Sequence, residues 1–386
     1  MLKNLCNINN WRNYAPKIKK YIKIMKRILF SILIIATFIG CGKDDSNGNS
    51  DTPKYSAEEA KAEVKATMDS FYNCLQKAND GGFANFLYNA IAKTSKQDDA
   101  WFAKLGEKFE ETYINDINSS KDNDRFDFNK FKGTYTWDNT SKSWNKEANN
   151  KIVLLFPATA SSTTNNARAE IDSYTDEEIF IDNQKRFLVK SAHLLISVDN
   201  TKMLEITLRN AQFKKLGKGI TPTAIDLSIY TNPFNTTIKF FKRENAHYNF
   251  NFNFSSQQGC ATGLAADVKL TSDDLDSFTS FEEAVESINV IAFQDKFQII
   301  ANADIKSVHK AGKKIDNLQG IELNTYIKAE LYKNNKKIAD VKVEEDNRGD
   351  SDLFFIFSDG SKQKAESYIE DFEEKIKNIF SRFFNL

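Results

Sequence analysis

Apolar residues recur at three- and four-residue steps early in the chain and at alternate positions through most of the remainder. Val64, Met68, Phe71, Tyr72 and Leu75 form one stripe, entered through the capping-box pattern Ser56-Ala57-Glu58-Glu59 and stopped by Gly81-Gly82. A shorter helix is expected around Phe83, Phe86, Leu87, Ala90 and Ile91, and a third from about Asp99 through Trp101, Phe102, Leu105, Phe109, Tyr113 and Ile117. Together they predict a helical segment over residues 55–125, with its aromatic stripes as core.

From about residue 126 the period changes from 3.6 to 2. Gly133 to Trp137 and Lys151 to Phe156 read as paired strands around a polar loop, Asp138 to Asn150. Further strands are expected at Leu188 to Val198 with Met203 to Phe213, at Ala224 to Tyr230, and at Thr237 to Phe241 with Tyr248 to Phe254. Later ones are expected at Val290 to Ile305, Thr325 to Tyr332, Ile338 to Val343 and Leu353 to Phe357. Asp199-Asn200, Glu244-Asn245 and Asn334-Asn335 suit tight reversals, so the pairs read as antiparallel hairpins. Two more helices are predicted, Ser272 to Ile288 and Lys364 to Phe384. The fold class is therefore α+β: an N-terminal helical cap, then over residues 126–386 a long antiparallel β-meander, as a curved sheet or half-barrel, closed by a C-terminal helix. A fimbrial-type β-sandwich is the alternative, disfavoured by helices at both ends.

The N-terminal region obeys another logic. Met25-Lys26-Arg27 precedes the uncharged run Ile28 to Ile39, whose 12 residues fall short of the roughly 20 that span a bilayer as a helix. A basic start, a short apolar run and a small residue make a signal peptide over 25–40. Phe38-Ile39-Gly40-Cys41 resembles the lipobox of bacterial lipoproteins, departing from it at Phe38, where Leu is usual. The resemblance implies cleavage after Gly40 and lipidation of Cys41. Several acyl chains at about 0.8 kcal/mol per buried CH₂ then hold the protein to a membrane. Gly42-Lys43-Asp44-Asp45 resembles the export signal of surface lipoproteins in Bacteroidota-type bacteria, which implies the outer face of the outer membrane. Residues 1–24 read as an upstream extension before a start at Met25, and 41–54 as a lipidated flexible tether of roughly 20 Å.

Charge changes once the leader is set aside. The whole chain balances 53 basic against 53 acidic residues, but the first 40 hold eight Lys or Arg and no acid, leaving 45 − 53 = −8. An acidic mature chain with scattered basic residues argues against nucleic acid and anionic membrane as partners. Removing Cys6 with the leader and assigning Cys41 to lipid leaves Cys74 and Cys260, an even pair for which export permits a disulfide.

Candidate chemistry is sparse. His193, His247 and His309 each stand alone in their segments, and His193 reads as a satisfied structural residue. Asp273, Asp274 and Asp276 suit a helix start, Glu177 and Glu178 a solvated turn, and the loop Asp346 to Asp352 a plain hairpin connection with weaker calcium and adhesion readings. In Tyr248 to Phe254 every aromatic falls on one face and Asn249, Asn251 and Asn253 on the other, a polar ladder of the kind some sheets use for sugars, with Trp137 and Trp144 as conceivable stacking platforms. No catalytic residue, cofactor or metal site is assigned. The expectation is a membrane-anchored, non-enzymatic surface lipoprotein that binds or scaffolds a glycan or protein. The alternatives are a carrier of a lipid or apolar ligand in a half-barrel cavity and a carboxylate-dependent glycoside hydrolase.

Overall fold

A computed structural model describes residues 55–91, 100–114, 125–181, 184–216, 219–244, 246–274, 277–318, 320–345, 351–370 and 372–384. The leader, Cys41, the tether and residues 346–350 of the Arg-Gly-Asp loop lie outside them. Helices come first: α1 (Ala57–Asn79), α2 (Gly82–Ile91) and α3 (Trp101–Phe109), the last continued by a π-turn over Glu110–Ile114. Among the described residues sixteen strands come after them: β1 (Gly133–Asp138), β2 (Ser143–Glu147), β3 (Ile152–Phe156), β4 (Ala167–Ile181), β5 (Gln184–Val198), β6 (Thr201–Leu216), β7 (Gly219–Thr231), β8 (Phe234–Lys242), β9 (His247–Ser256), β10 (Cys260–Leu270), β11 (Val285–Gln294), β12 (Phe297–Asp304), β13 (Ile327–Lys333), β14 (Lys336–Glu345), β15 (Ser351–Phe357) and β16 (Lys362–Lys364). The fold is α+β, with helices leading into a long meander.

The described chain divides into two compact units. The first comprises residues up to Phe71, Lys242–Asn253 and Cys260–Phe372, and the second Tyr72–Phe241, Phe254–Gly259 and Glu373–Leu386. Strand order is β9 to β16 in sequence in the first, and β8-β7-β6-β5-β4-β3-β1-β2 in the second; the sheet is mixed and open.

The first unit shows why alternation fixes its layers. Val290, Ala301, Ala329, Val341 and Phe355 stand opposite one another across β11 to β15, so one row crosses five strands on one face. Most of that face is buried, Leu331 and Ala292 completely. The first part of α1 supplies Ala57, Ala60, Val64, Met68 and Phe71 to the core at helical spacing. Polar contacts fix its place: Ser70 donates to Asp295 at 2.9 Å, Glu63 pairs with Lys333 at 2.8 Å, and Lys61 lies over the Phe357 ring. The capping box forms as expected, with Ser56 and Glu59 exchanging hydrogen bonds.

In the second unit α2 and α3 bring Phe86 and Leu105 against Tyr135, Trp137, Trp144, Ile152 and Phe156. The indoles are tied down as well as buried: Trp144 donates to the Leu105 carbonyl at 3.1 Å and Trp101 to that of Pro157 at 2.8 Å.

Several expectations need correction. Gly133 to Trp137 and Lys151 to Phe156 do pair, as β1 and β3, but in parallel, because the intervening loop contains β2, which takes the antiparallel place beside β1. Residues 167–181, including Glu177 and Glu178, form strand β4 and no turn; Lys190 and Lys185 on β5 neutralise the two acids. The helix expected over 272–288 shrinks to one turn, Phe281–Ala284, capped by Ser280. The β-branched positions Val285, Ile288, Val290 and Ile291 go to β11, where they fit a pleated surface better than a helix. Val290 to Ile305 is two strands reversing at Asp295, whose φ is 54°. The C-terminal helix is broken: Ala365–Tyr368 is a 3₁₀ turn in which Tyr368 packs on Phe355, and α-helix resumes at Phe372–Ile379 and Ser381–Phe384.

Leu331 reports on the first unit's core. Leu331→Ala should lower unfolding stability by about 2 to 5 kcal/mol in urea titration, from lost burial plus a residual cavity. A cost below about 1 kcal/mol would mean that the face is not the core.

Candidate functional site

Burying one face of a sheet leaves its opposite face to water, and in the first unit that outer face carries an ordered polar row. Asp267 on β10 stands opposite Asn289 on β11, Asn289 opposite Asn302 on β12, and Asn302 opposite Lys328 on β13. At one end, His247 and Asn249 of β9 both grip Asp267. His247 Nε2 lies 2.6 Å from one carboxylate oxygen, and the Asn249 amide donates to the other. Alternation then puts Asn251 and Asn253, both exposed, on this outer face. Burial alone would raise the Asp267 pKa, but the hydrogen bonds from His247 and Asn249, and the His247 and Arg243 charges, bring it below the usual carboxylate range. Asn249 itself is 7% exposed, and its Oδ1 finds no hydrogen-bond partner.

A second row lies beside the first. Ile291 stands opposite Ile300, which in turn faces Glu330, and Ile291 is 38% exposed. Beyond it comes the row Gly263, Phe293, Gln298 and Tyr332. A Cβ at Gly263 would sit 2.7 Å from the Phe293 ring and 2.3 Å from the Phe252 carbonyl, so glycine is what allows the ring to lie flat across the strand. The Tyr332 hydroxyl donates to Glu330 at 2.7 Å, and burial together with that carboxylate pushes its pKa up to about 12. The face thus reads amides, aliphatics, aromatics, in bands that cross the strands.

The second unit has its own polar cluster. Nδ1 of His193 lies 2.9 Å from Asp172 and Nε2 lies 3.2 Å from Glu205. Carboxylates only accept, so the ring donates to both at once when both of its nitrogens are protonated, as an imidazolium between two anions. Glu170 is gripped by Lys151 and Arg168, and Lys202 pairs with Glu205 at 2.7 Å and lies over the Tyr230 ring. Lys151 and Lys202, chiefly, hold Glu170 and Glu205 below the usual carboxylate range. His193 is raised: burial would lower it, but hydrogen bonds to Glu205 and Asp172 and both charges prevail.

The remaining sequence candidates fall elsewhere. Trp137 and Trp144 are 4% and 5% exposed in the second unit's core, which rules them out as stacking platforms. Asp273 accepts from Lys242 and Tyr248, and Asp274 has its N–H capped by Ser272; Asp276 lies outside the described residues. His309 ends a short helix, Ile305–Lys310. Cys74 on α1 and Cys260 at the head of β10 are each buried and each disulfide-bonded. Among the described residues no three His, Cys, Asp or Glu side chains converge to hold a metal ion, and no helix is long and apolar enough to cross a membrane. Sequence reasoning found the Asn249 ladder but missed Asp267, Asn289 and Asn302, because only strand register aligns them. Comparison with known protein families, with curated proteins and with solved structures gives no match.

The clamp and the cysteines each make a measurable difference. The folded pKa of His193 lies above its ordinary 6.5, so its stabilising contribution is complete below about that pH and is lost as pH rises through the folded value. Urea titrations of wild type and His193→Gln should therefore differ most near pH 6 and converge towards pH 9; a gap that widens with pH would contradict the clamp. Separately, iodoacetamide applied to denatured, unreduced protein should label neither Cys74 nor Cys260, and labelling of either would show a free thiol.

Proposed function

We propose that this chain is an exported lipoprotein, tethered to the outer membrane through lipidated Cys41, that works at the cell surface as a non-enzymatic binding protein. The observation that carries the binding role is the first unit's outer face. The side-chain amides of Asn251, Asn253, Asn289 and Asn302 make no hydrogen bond to another group among the described residues, and beside them lie the exposed Ile291 and the half-buried Ile300. Free amides next to aliphatic surface suit a ligand with both polar groups and C–H faces, and they sit on paired strands that need not move to receive it. The anchor rests on the lipobox resemblance at Phe38 to Cys41.

A second reading, a carrier of a lipid or other apolar ligand, has one observation in its favour. In the second unit Ile206 stands opposite Leu194 and Ile229, and Leu208 opposite Leu227, yet all five are only half-buried. An aliphatic sheet face left partly open could take an acyl chain. Native mass spectrometry of the Cys41→Ala protein separates the readings: a co-purifying apolar mass supports the carrier, and a homogeneous protein mass sinks it.

The address is tested by fractionation. Wild type should partition with membranes and be digested by protease added to intact cells, while Cys41→Ala should leave the membrane fraction. Retention of that variant in membranes would overturn the lipid anchor.

A further inference from the structure

We propose that the outer face of β9 to β12 binds a neutral carbohydrate through its cross-strand amide row; the proposal rests on the binding-protein reading above and names the ligand class of that same face. Directly opposed residues on neighbouring strands hold their Cβ atoms about 4.5 to 5.5 Å apart. Asn289 and Asn302 are such a pair, so two side-chain amides point the same way within one residue's reach. Each amide offers two donors and one acceptor with two lone pairs, which matches the hydroxyl group, itself both donor and acceptor. Neither side chain spends this capacity on another of the described residues, and Asn251 and Asn253 add two more exposed amides on β9.

The surroundings select against charge. The row is closed by Asp267 at one end and Lys328 at the other, opposite in sign, and its middle is neutral. Asp267 stays ionised and is oriented by His247 and Asn249, so it accepts strongly from a hydroxyl. Asn249 Oδ1 beside it is buried and accepts from no described group, a lack of a partner that is a feature in need of explanation. The neighbouring pair Ile291 and Ile300 supplies an apolar bed for the C–H face of a sugar ring, with Tyr332 one row further on.

Peptide recognition by an added strand needs a free sheet edge. Strands β10, β11 and β12 are interior, each hydrogen-bonded on both sides, so an extended peptide would find no backbone to pair with here. What this face offers is side chains alone, in a flat array suited to repeated hydroxyls.

The full lipidated protein in detergent micelles can be tested by depletion on immobilised amylose, galactomannan and mixed-linkage β-glucan, with polygalacturonate as the anionic comparison and a peptide array beside them. The expected result is retention on at least one neutral polysaccharide, weakened tenfold or more in Asn289→Ala/Asn302→Ala, whose Tm stays within about 2 °C of wild type. His193→Gln, altered in the other unit, should bind like wild type. Retention on a neutral polysaccharide that survives the double substitution, or retention on polygalacturonate alone, would overturn the proposal. Peptide binding abolished by the same double substitution would also overturn it, while leaving the binding-protein reading intact. Wild type that retains neither polysaccharide nor peptide would remove both.

Discussion

Successive side chains on a β-strand point to opposite faces, and most of this protein's organisation derives from that constraint. In the first unit it lets one sequence serve two surfaces: Val290 and Ala292 belong to the core beneath α1, while Asn289 and Ile291 between them belong to water. The buried row cannot exist without the exposed one. Once α1 has covered one face, the chemistry of the other is free to vary without cost to the core, and there the chain places amides and a carboxylate in register.

The second unit uses the same alternation differently. Near β1 to β3 one face is sealed by aromatic packing against α2 and α3, with Trp137 and Trp144 locked into edge contacts. Along β4 to β6 the polar face is instead stitched by charge, His193 between Asp172 and Glu205 and Lys202 beyond. Those ionic groups are partly exposed, where such pairs contribute little stability individually; as a connected network they chiefly fix side-chain orientation. The contrast in hydrogen bonding separates the two polar faces: near His193 the charged groups are satisfied internally, whereas the Asn289 and Asn302 amides are not.

Much of this was legible locally. The capping box at Ser56, the Gly81-Gly82 stop and the Asp199-Asn200 and Asn334-Asn335 reversals, all four residues with positive φ, depend on short-range geometry and could be read from neighbours in sequence. What failed were segments whose state is set by distant partners. Val285 to Ile291 carries a helical apolar spacing as well as β-branched content, and pairing with β10 and β12 decides for strand. The parallel pairing of β1 with β3 could not be read from loop length, since the loop holds a strand of its own. The site shows the same division. The Asn249, Asn251 and Asn253 ladder is visible in seven consecutive residues, from Tyr248 to Phe254, whereas its extension through Asp267, Asn289 and Asn302 exists only once three hairpin registers are fixed.

The central claim is that the unsatisfied amide face, and no other surface, is where this protein meets its ligand. Hydroxyl-radical footprinting reads it directly, since it reports side-chain accessibility. With a saturating retained polysaccharide, oxidation of Ile291, Ile300 and Tyr332 should fall several-fold, while Leu194, Ile206 and Leu227 of the second unit keep their free-protein rates. Protection of those three leucine and isoleucine positions with Ile291 unchanged would contradict it.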